Sequence, residues 1–108
     1  MSRHEHRGHH EHRAEADAES VRGWFTGRLP QEWQGEPARV TVDREEITVI
    51  LTLPDVALDE AVSEAERDEA RAGRARAFRE ETRELRMQID REAQRRFERK
   101  VSWGVHVG

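Results

Sequence analysis

The sequence predicts an α+β fold in the order α-β-β-α-β, with a short antiparallel hairpin and a C-terminal strand packed on one long charged helix. Three observations predict it. β-Branched residues concentrate in Arg39–Val42 and Ile47–Leu53, the composition of a pleated, half-buried surface. Apolar side chains recur at helical spacing from Phe78 to Phe97, forming one stripe on a segment that otherwise carries charge. Directly afterwards, Val101-Ser102-Trp103-Gly104-Val105-His106-Val107 alternates with the period of a strand.

Composition limits what such a chain can be. At 108 residues it holds one domain at most. With 34% hydrophobic against 39% charged residues the core is small, and a domain that buries little surface alone gains from association. The net charge of −4 is too modest to force the chain open by self-repulsion. The absence of cysteine excludes a disulfide framework, a thiolate metal site and a thiol nucleophile. Lys100 is the single lysine among many arginines, the usage of a high-GC bacterial gene. No apolar run approaches the ~20 residues of a membrane span, and the N-terminus carries no apolar signal core. The expectation is a cytoplasmic protein without membrane contact.

Residues 1–13 have nothing apolar after Met1 and cannot pack, so they read as a disordered His-rich tail, with 14–108 forming a single small domain. His4, His6, His9, His10 and His12 lie close together, and neutral imidazole suits Zn²⁺, Ni²⁺ or Cu²⁺. A divalent metal at this tail is the one cofactor the sequence offers. Against it, the irregular spacing defines no closed site, and a solvated tail that binds metal only in vitro explains the same residues.

Val21, Trp24 and Phe25 fall at i, i+3 and i+4, one face of a first helix, with Gly27 as its stop signal. Leu29-Pro30 prevents continuation. Trp33 follows in a loop with Gly35 and Pro37. This aromatic cluster reads as the anchor of a small core, with a ligand platform as the alternative. In the second strand Ile47, Val49, Leu51 and Leu53 share one face, and Thr48, Ile50 and Thr52 the other. Asp43-Arg44-Glu45-Glu46 makes the connection and Pro54 closes the hairpin. A hairpin alone is unstable in water, so its apolar face must meet a helix.

The long helix is read from Ser63 to Lys100. Ser63 and Glu66 have capping-box spacing. Phe78, Thr82, Leu85, Ile89, Ala93 and Phe97 form the stripe, and Met87 alone sits opposite. Glu64–Arg76 has only alanines to bury and contains Gly73, so it is expected to project into solvent or to form a separate short helix. Asp55–Glu69 carries seven acids and one arginine, whereas Ala70–Lys100 carries eleven bases and six acids. Acids early and bases late suit the helix dipole, and Glu92 and Arg96 are spaced as an i, i+4 pair. The same arginines offer a phosphate-neutralising stripe, weakened by Glu80, Glu81 and Glu84 among them. In the terminal strand Val101, Trp103, Val105 and Val107 share the buried face, leaving His106 toward solvent.

The blocks WFTGRLPQEW, VTVDREEI and FREETRELRMQIDREAQRRFERKVSWGV resemble an uncharacterised family of small proteins from high-GC Gram-positive bacteria, over roughly residues 20–105. The resemblance implies a fold and no assigned activity. Longer members continue past VSWGV with a second strand and a unit similar to a ribbon-helix-helix, which this chain, ending at Gly108, is expected to lack. The 101–107 edge would then be unpaired, a template for another chain.

Catalysis fits poorly. There is no cysteine or tyrosine, and none of Ser2, Ser20, Ser63 and Ser102 reads as a nucleophile flanked by a plausible base. The carboxylates stand among arginines on expected solvent faces, not in the dry setting that raises a carboxyl pKa. The reading is a non-enzymatic interaction or regulatory module that acts through its long charged helix and exposed terminal strand. Arg76, Arg79, Arg83, Arg86 and Trp103 are its candidate partner-binding residues, and a protein partner or a second copy its expected occupant. Nucleic-acid binding through the Arg-rich segment 71–100 is one alternative, and metal binding through the His-rich tail another.

Overall fold

A computed structural model describes residues 17–108. The His-rich tail, its five histidines and the readings made of them lie outside the described residues. The first helix, α1 (residues 17–28), buries Val21 and Phe25 completely, and Leu29 follows them one turn later at 2% exposure. Gly27 does not end this helix but lies within it. The stop comes at Leu29, whose N–H still closes a turn on Phe25 O at 3.0 Å, because Pro30 forbids the next helical residue. Trp33 is not in open loop either. It ends a single 3₁₀ turn, Gln31–Trp33, with its indole buried edge-to-face against Phe78 at 5.7 Å.

Strands β1 (Arg39–Val42) and β2 (Glu46–Leu53) form the expected antiparallel hairpin. Glu46 belongs to β2, so the connection is one residue tighter than its polar run suggests. Asp43 makes that possible, since its Oδ1 accepts from the N–H groups of Glu45 and Glu46 at 2.9 and 2.8 Å. Along β2, Ile47, Val49, Leu51 and Leu53 are buried and the residues between them half-buried, the alternation of a sheet covered on one face. The terminal strand β3 (Lys100–Val107) pairs with β2 in parallel, giving the order β1-β2-β3. Parallel neighbours require a crossover of a dozen or more residues, and the long helix supplies it.

That helix, α2 (Glu64–Phe97), is unbroken. At 1.5 Å per residue it is about 51 Å long, and Gly73 neither stops it nor divides it. Ser63 caps it, its Oγ accepting from Glu66 N–H at 3.1 Å. Acids occupy its first turn and Arg95 and Arg96 its last, as the dipole favours. The expected stripe is the buried one: Phe78, Thr82, Ile89 and Ala93 are covered, with Leu85 and Phe97 half-buried against the same core. α2 ends three residues earlier than read from the sequence, because Glu98 takes a left-handed conformation (φ 55°, ψ 41°) while its N–H caps Gln94 O. Lys100 is therefore the first residue of β3.

Both helices lie on one face of the sheet and share its core. Phe25 meets Trp103, Trp24 meets Phe97, and a half-buried ion pair from Arg28 to Glu92 at 2.6 Å ties α1 to α2. This pair replaces the Glu92–Arg96 pairing that helical spacing suggests; Arg96 instead lies over the Phe97 ring. The first turns of α2 run beyond the sheet and bury nothing, but they are not free. Arg71 grips Asp55 with two hydrogen bonds of 2.9 and 2.8 Å, clamping the segment after β2 to the helix.

Two predictions follow from these local constraints. A non-glycine residue in the left-handed region is disfavoured by roughly 1 kcal/mol, and Glu98 is exposed. Glu98→Gly is expected to raise the unfolding free energy by about 1 kcal/mol in urea denaturation. The Asp55 carboxyl is held at about 2, chiefly by its bonds to Arg71. Its folded pKa lies below its unfolded one, so the stabilisation is complete above about pH 4 and lost as the pH falls through the folded value. Asp55→Asn should flatten the acid limb of the stability curve in that window, measured by urea titration at successive pH values.

Candidate functional site

The ladder between β2 and β3 determines what β3 shows to solvent. Lys100 N–H donates to Glu45 O at its start and Gly108 N–H to Leu53 O at its end, 3.0 and 3.1 Å. In a parallel pair alternate residues bond the neighbour, so the even-numbered residues of β3 face β2. Val101, Trp103, Val105 and Val107 consequently turn their N–H and C=O groups outward, along an edge with no further strand among the described residues. Only one of these groups has a side-chain partner among the described residues, the Trp103 carbonyl, which accepts from Arg79 Nη2 at 3.4 Å. That distance marks a weak bond.

Above the edge lies one flank of α2, where Arg79, Arg83, Arg86 and Asp90 succeed one another at helical spacing. Arg86 is only 5% exposed and has no carboxylate within ion-pair distance among the described residues. Its Nε donates to Thr82 Oγ1 at 3.0 Å and its Nη2 to Arg79 O at 2.6 Å, while its Cζ stands 6.0 Å from the centre of the Trp103 ring. Burial pushes its pKa down, and the charges of Arg79 and Arg83 add to that. A guanidinium nevertheless stays charged. Asp90, 9% exposed, accepts from Trp103 Nε1 at 3.2 Å and from the Gln94 amide. Trp103 is thus held by its ring, its N–H and its backbone, all from α2.

The structure brings four of the five candidate residues together: Arg79, Arg83, Arg86 and Trp103. Arg76 starts the same flank but turns its guanidinium to Glu80 at 3.0 Å. Arg79 and Arg83 are exposed and make no ion pair among the described residues. The longer arginine stripe is divided, since Arg71 is engaged with Asp55 and Arg99 lies 3.9 Å from Asp17. Asp90 was not legible as part of the site. The expectation of carboxylates only on solvent faces fails for it, although its place one turn after Arg86, beside the stripe residue Ile89, carried the signal. Among the described residues no three His, Asp or Glu side chains gather as a metal set, and no helix is long and apolar enough to cross a membrane.

The fold is therefore a two-layer α+β domain, a mixed three-stranded sheet under two helices, with one long sheet edge that no strand covers among the described residues, beneath an arginine-rich helix flank. The chain belongs to the family of the Rv1265-like protein, N-terminal domain, which it matches over residues 19–108. It is 53% identical over 93 residues to the uncharacterized protein Rv1265 of Mycobacterium tuberculosis, and equally to the uncharacterized protein Mb1296 of Mycobacterium bovis. The match covers 85% of this chain and 39% of each relative, so the chain spans about two fifths of their length. No solved structure matches it.

A buried cation without a carboxylate is a poor device for stability, because a well-packed apolar side chain of similar size avoids its desolvation. Arg86→Met is expected to leave the unfolding free energy unchanged or to raise it by up to about 2 kcal/mol, measured by urea denaturation. A large loss would mean that the guanidinium holds the fold.

Proposed function

We propose that this domain is a non-enzymatic interaction and regulatory module that engages a protein partner through the open edge of β3 and the flank of α2 above it. The observation that carries the reading is the edge itself: four residues whose outward N–H and C=O groups meet a single weak side-chain bond among the described residues. Natural sheets blunt such edges with short strands, prolines, bulges or covering elements. β1 follows that habit, with only four residues, whereas β3 presents eight. The edge favours nucleic acid less, because a phosphate backbone cannot supply the main-chain hydrogen bonds that an added strand does.

Proline separates the edge from the fold. At Val105 the N–H points away from β2, and proline is tolerated at such an edge position, so Val105→Pro keeps the ladder and obstructs strand addition. Immobilised wild-type chain should retain host proteins that the Val105→Pro chain does not. Equal retention by both would overturn the reading. A bound fraction absorbing mainly at 260 nm and released by moderate salt would transfer it to nucleic acid.

A further inference from the structure

We infer that the occupant of this edge is an extended acidic segment of a partner protein, which adds as a strand beside β3 and places a carboxylate on Arg79, Arg83 and Arg86. The inference rests on the interaction reading above and names the chemistry of the partner. Strand addition draws affinity from main-chain hydrogen bonds and specificity from what the alternate side chains meet. On the helix side of this edge they meet cations. Arg86 is buried, fixed by Thr82 and by the Arg79 carbonyl and placed over Trp103, with no carboxylate among the described residues to neutralise it. Arg79 and Arg83 stand exposed beside it, close enough that their charges depress its pKa. Asp90 is already committed to Trp103 and Gln94. A carboxylate arriving here meets the exposed guanidiniums of Arg79 and Arg83 beside the fixed one of Arg86, and hydrogen bonds between ionised partners are the strong ones.

The same charges argue against the other occupants. A second copy would bring its own β3, Lys100–Val107, which contains no acid and carries Lys100 and His106. Two-fold pairing of antiparallel β3 strands about Gly104 would also set the arginine flanks of both α2 helices near one another, and like charges facing across an interface are costly. A nucleic-acid backbone supplies acceptors for the arginines but cannot form a ladder with Val101, Trp103, Val105 and Val107. Arg79 has the additional role of a latch. Its 3.4 Å bond to the Trp103 carbonyl occupies the middle of the edge in the free protein. An incoming strand takes over that carbonyl, and the released guanidinium is free to meet the incoming carboxylate.

The test uses the whole chain, ¹⁵N-labelled, and two octapeptides, one alternating valine with glutamate and the other valine with glutamine. Amide exchange of the free protein should alternate along β3, with Val101, Trp103 and Val105 fast and Ser102, Gly104 and His106 slow. The glutamate peptide should slow the first set on the order of ten-fold at saturation, and the glutamine peptide should bind on the order of ten-fold more weakly. Arg79→Glu with Arg83→Glu should remove that preference while keeping the free-state alternation, which reports that the variant folds; Arg79→Gln with Arg83→Gln should reduce it. Equal binding of both peptides, or binding of neither, overturns the acidic partner and leaves the open-edge reading standing. Uniform protection along β3 in the free protein, with sedimentation as a dimer, shows the edge occupied by a second copy and overturns both.

Discussion

The parallel ladder between β2 and β3 is the constraint on which the rest of this structure depends. Two strands in one direction cannot be joined by a turn, so a long connection had to climb over the sheet and return. α2 is that connection, and its position above the sheet follows from the pairing together with the stripe from Phe78 to Phe97. The ladder also fixes which groups of β3 are satisfied. Once Lys100 and Gly108 bond toward β2, the odd-numbered residues have their backbone groups on the open side, and no choice of side chain alters that.

The polar string on α2 is arranged around the same strand. Thr82, Arg86 and Asp90 replace apolar residues along one margin of the buried stripe, and each is satisfied by something fixed. Thr82 bonds back to the Phe78 carbonyl at 2.7 Å, Arg86 uses that hydroxyl as acceptor, and Asp90 takes the Trp103 indole N–H. Buried polar groups are tolerated when their partners are complete. Here they determine how Trp103 lies rather than how much apolar surface is covered. The indole joins the aromatic core at Phe25 and faces Arg86 on the other side, so the strand edge and the core are coupled through one side chain.

Most of the fold was legible because its signals are local and periodic. Alternation in Ile47–Leu53 and Val101–Val107 gave the buried faces, and the 3.6-residue spacing gave the stripe of α2. What could not be read was set by tertiary partners. Glu92 turns to Arg28 across the helix pair instead of to Arg96 on its own helix, a choice invisible to spacing. Gly27 looked like a stop, but it has open space around it and the helix, anchored by buried Val21 and Phe25, runs past it until Pro30 decides the end. Gly73 looked like a break, yet Arg71 and Asp55 tie its neighbourhood down, so the cost of one helical glycine, about 1 kcal/mol, is met. Of the candidate residues, Arg79, Arg86 and Trp103 do meet in the structure, whereas Arg76 turns to Glu80 and the neighbouring Asp90 was not read from the sequence. The surplus charge was visible in the sequence, whereas the burial of Arg86 and the single weak latch on the edge required the strand's position.

A long open edge in a small domain is a hazard, because any extended chain can pair with it. Charge is one of the few protections compatible with keeping the edge usable. Arg79 and Arg83 stand above it on α2, and Lys100 belongs to the strand itself, so a neighbouring copy of the same edge brings like charges together. A shorter strand, a bulge or a proline would have removed the hazard together with the surface. The cations leave the backbone groups free, and under the proposed reading they discriminate by sign instead, repelling the chain's own β3 and admitting an acidic segment. On that reading, protection against self-association and selection of a partner are the same electrostatic property, located in the arginines that have no carboxylate partner among the described residues.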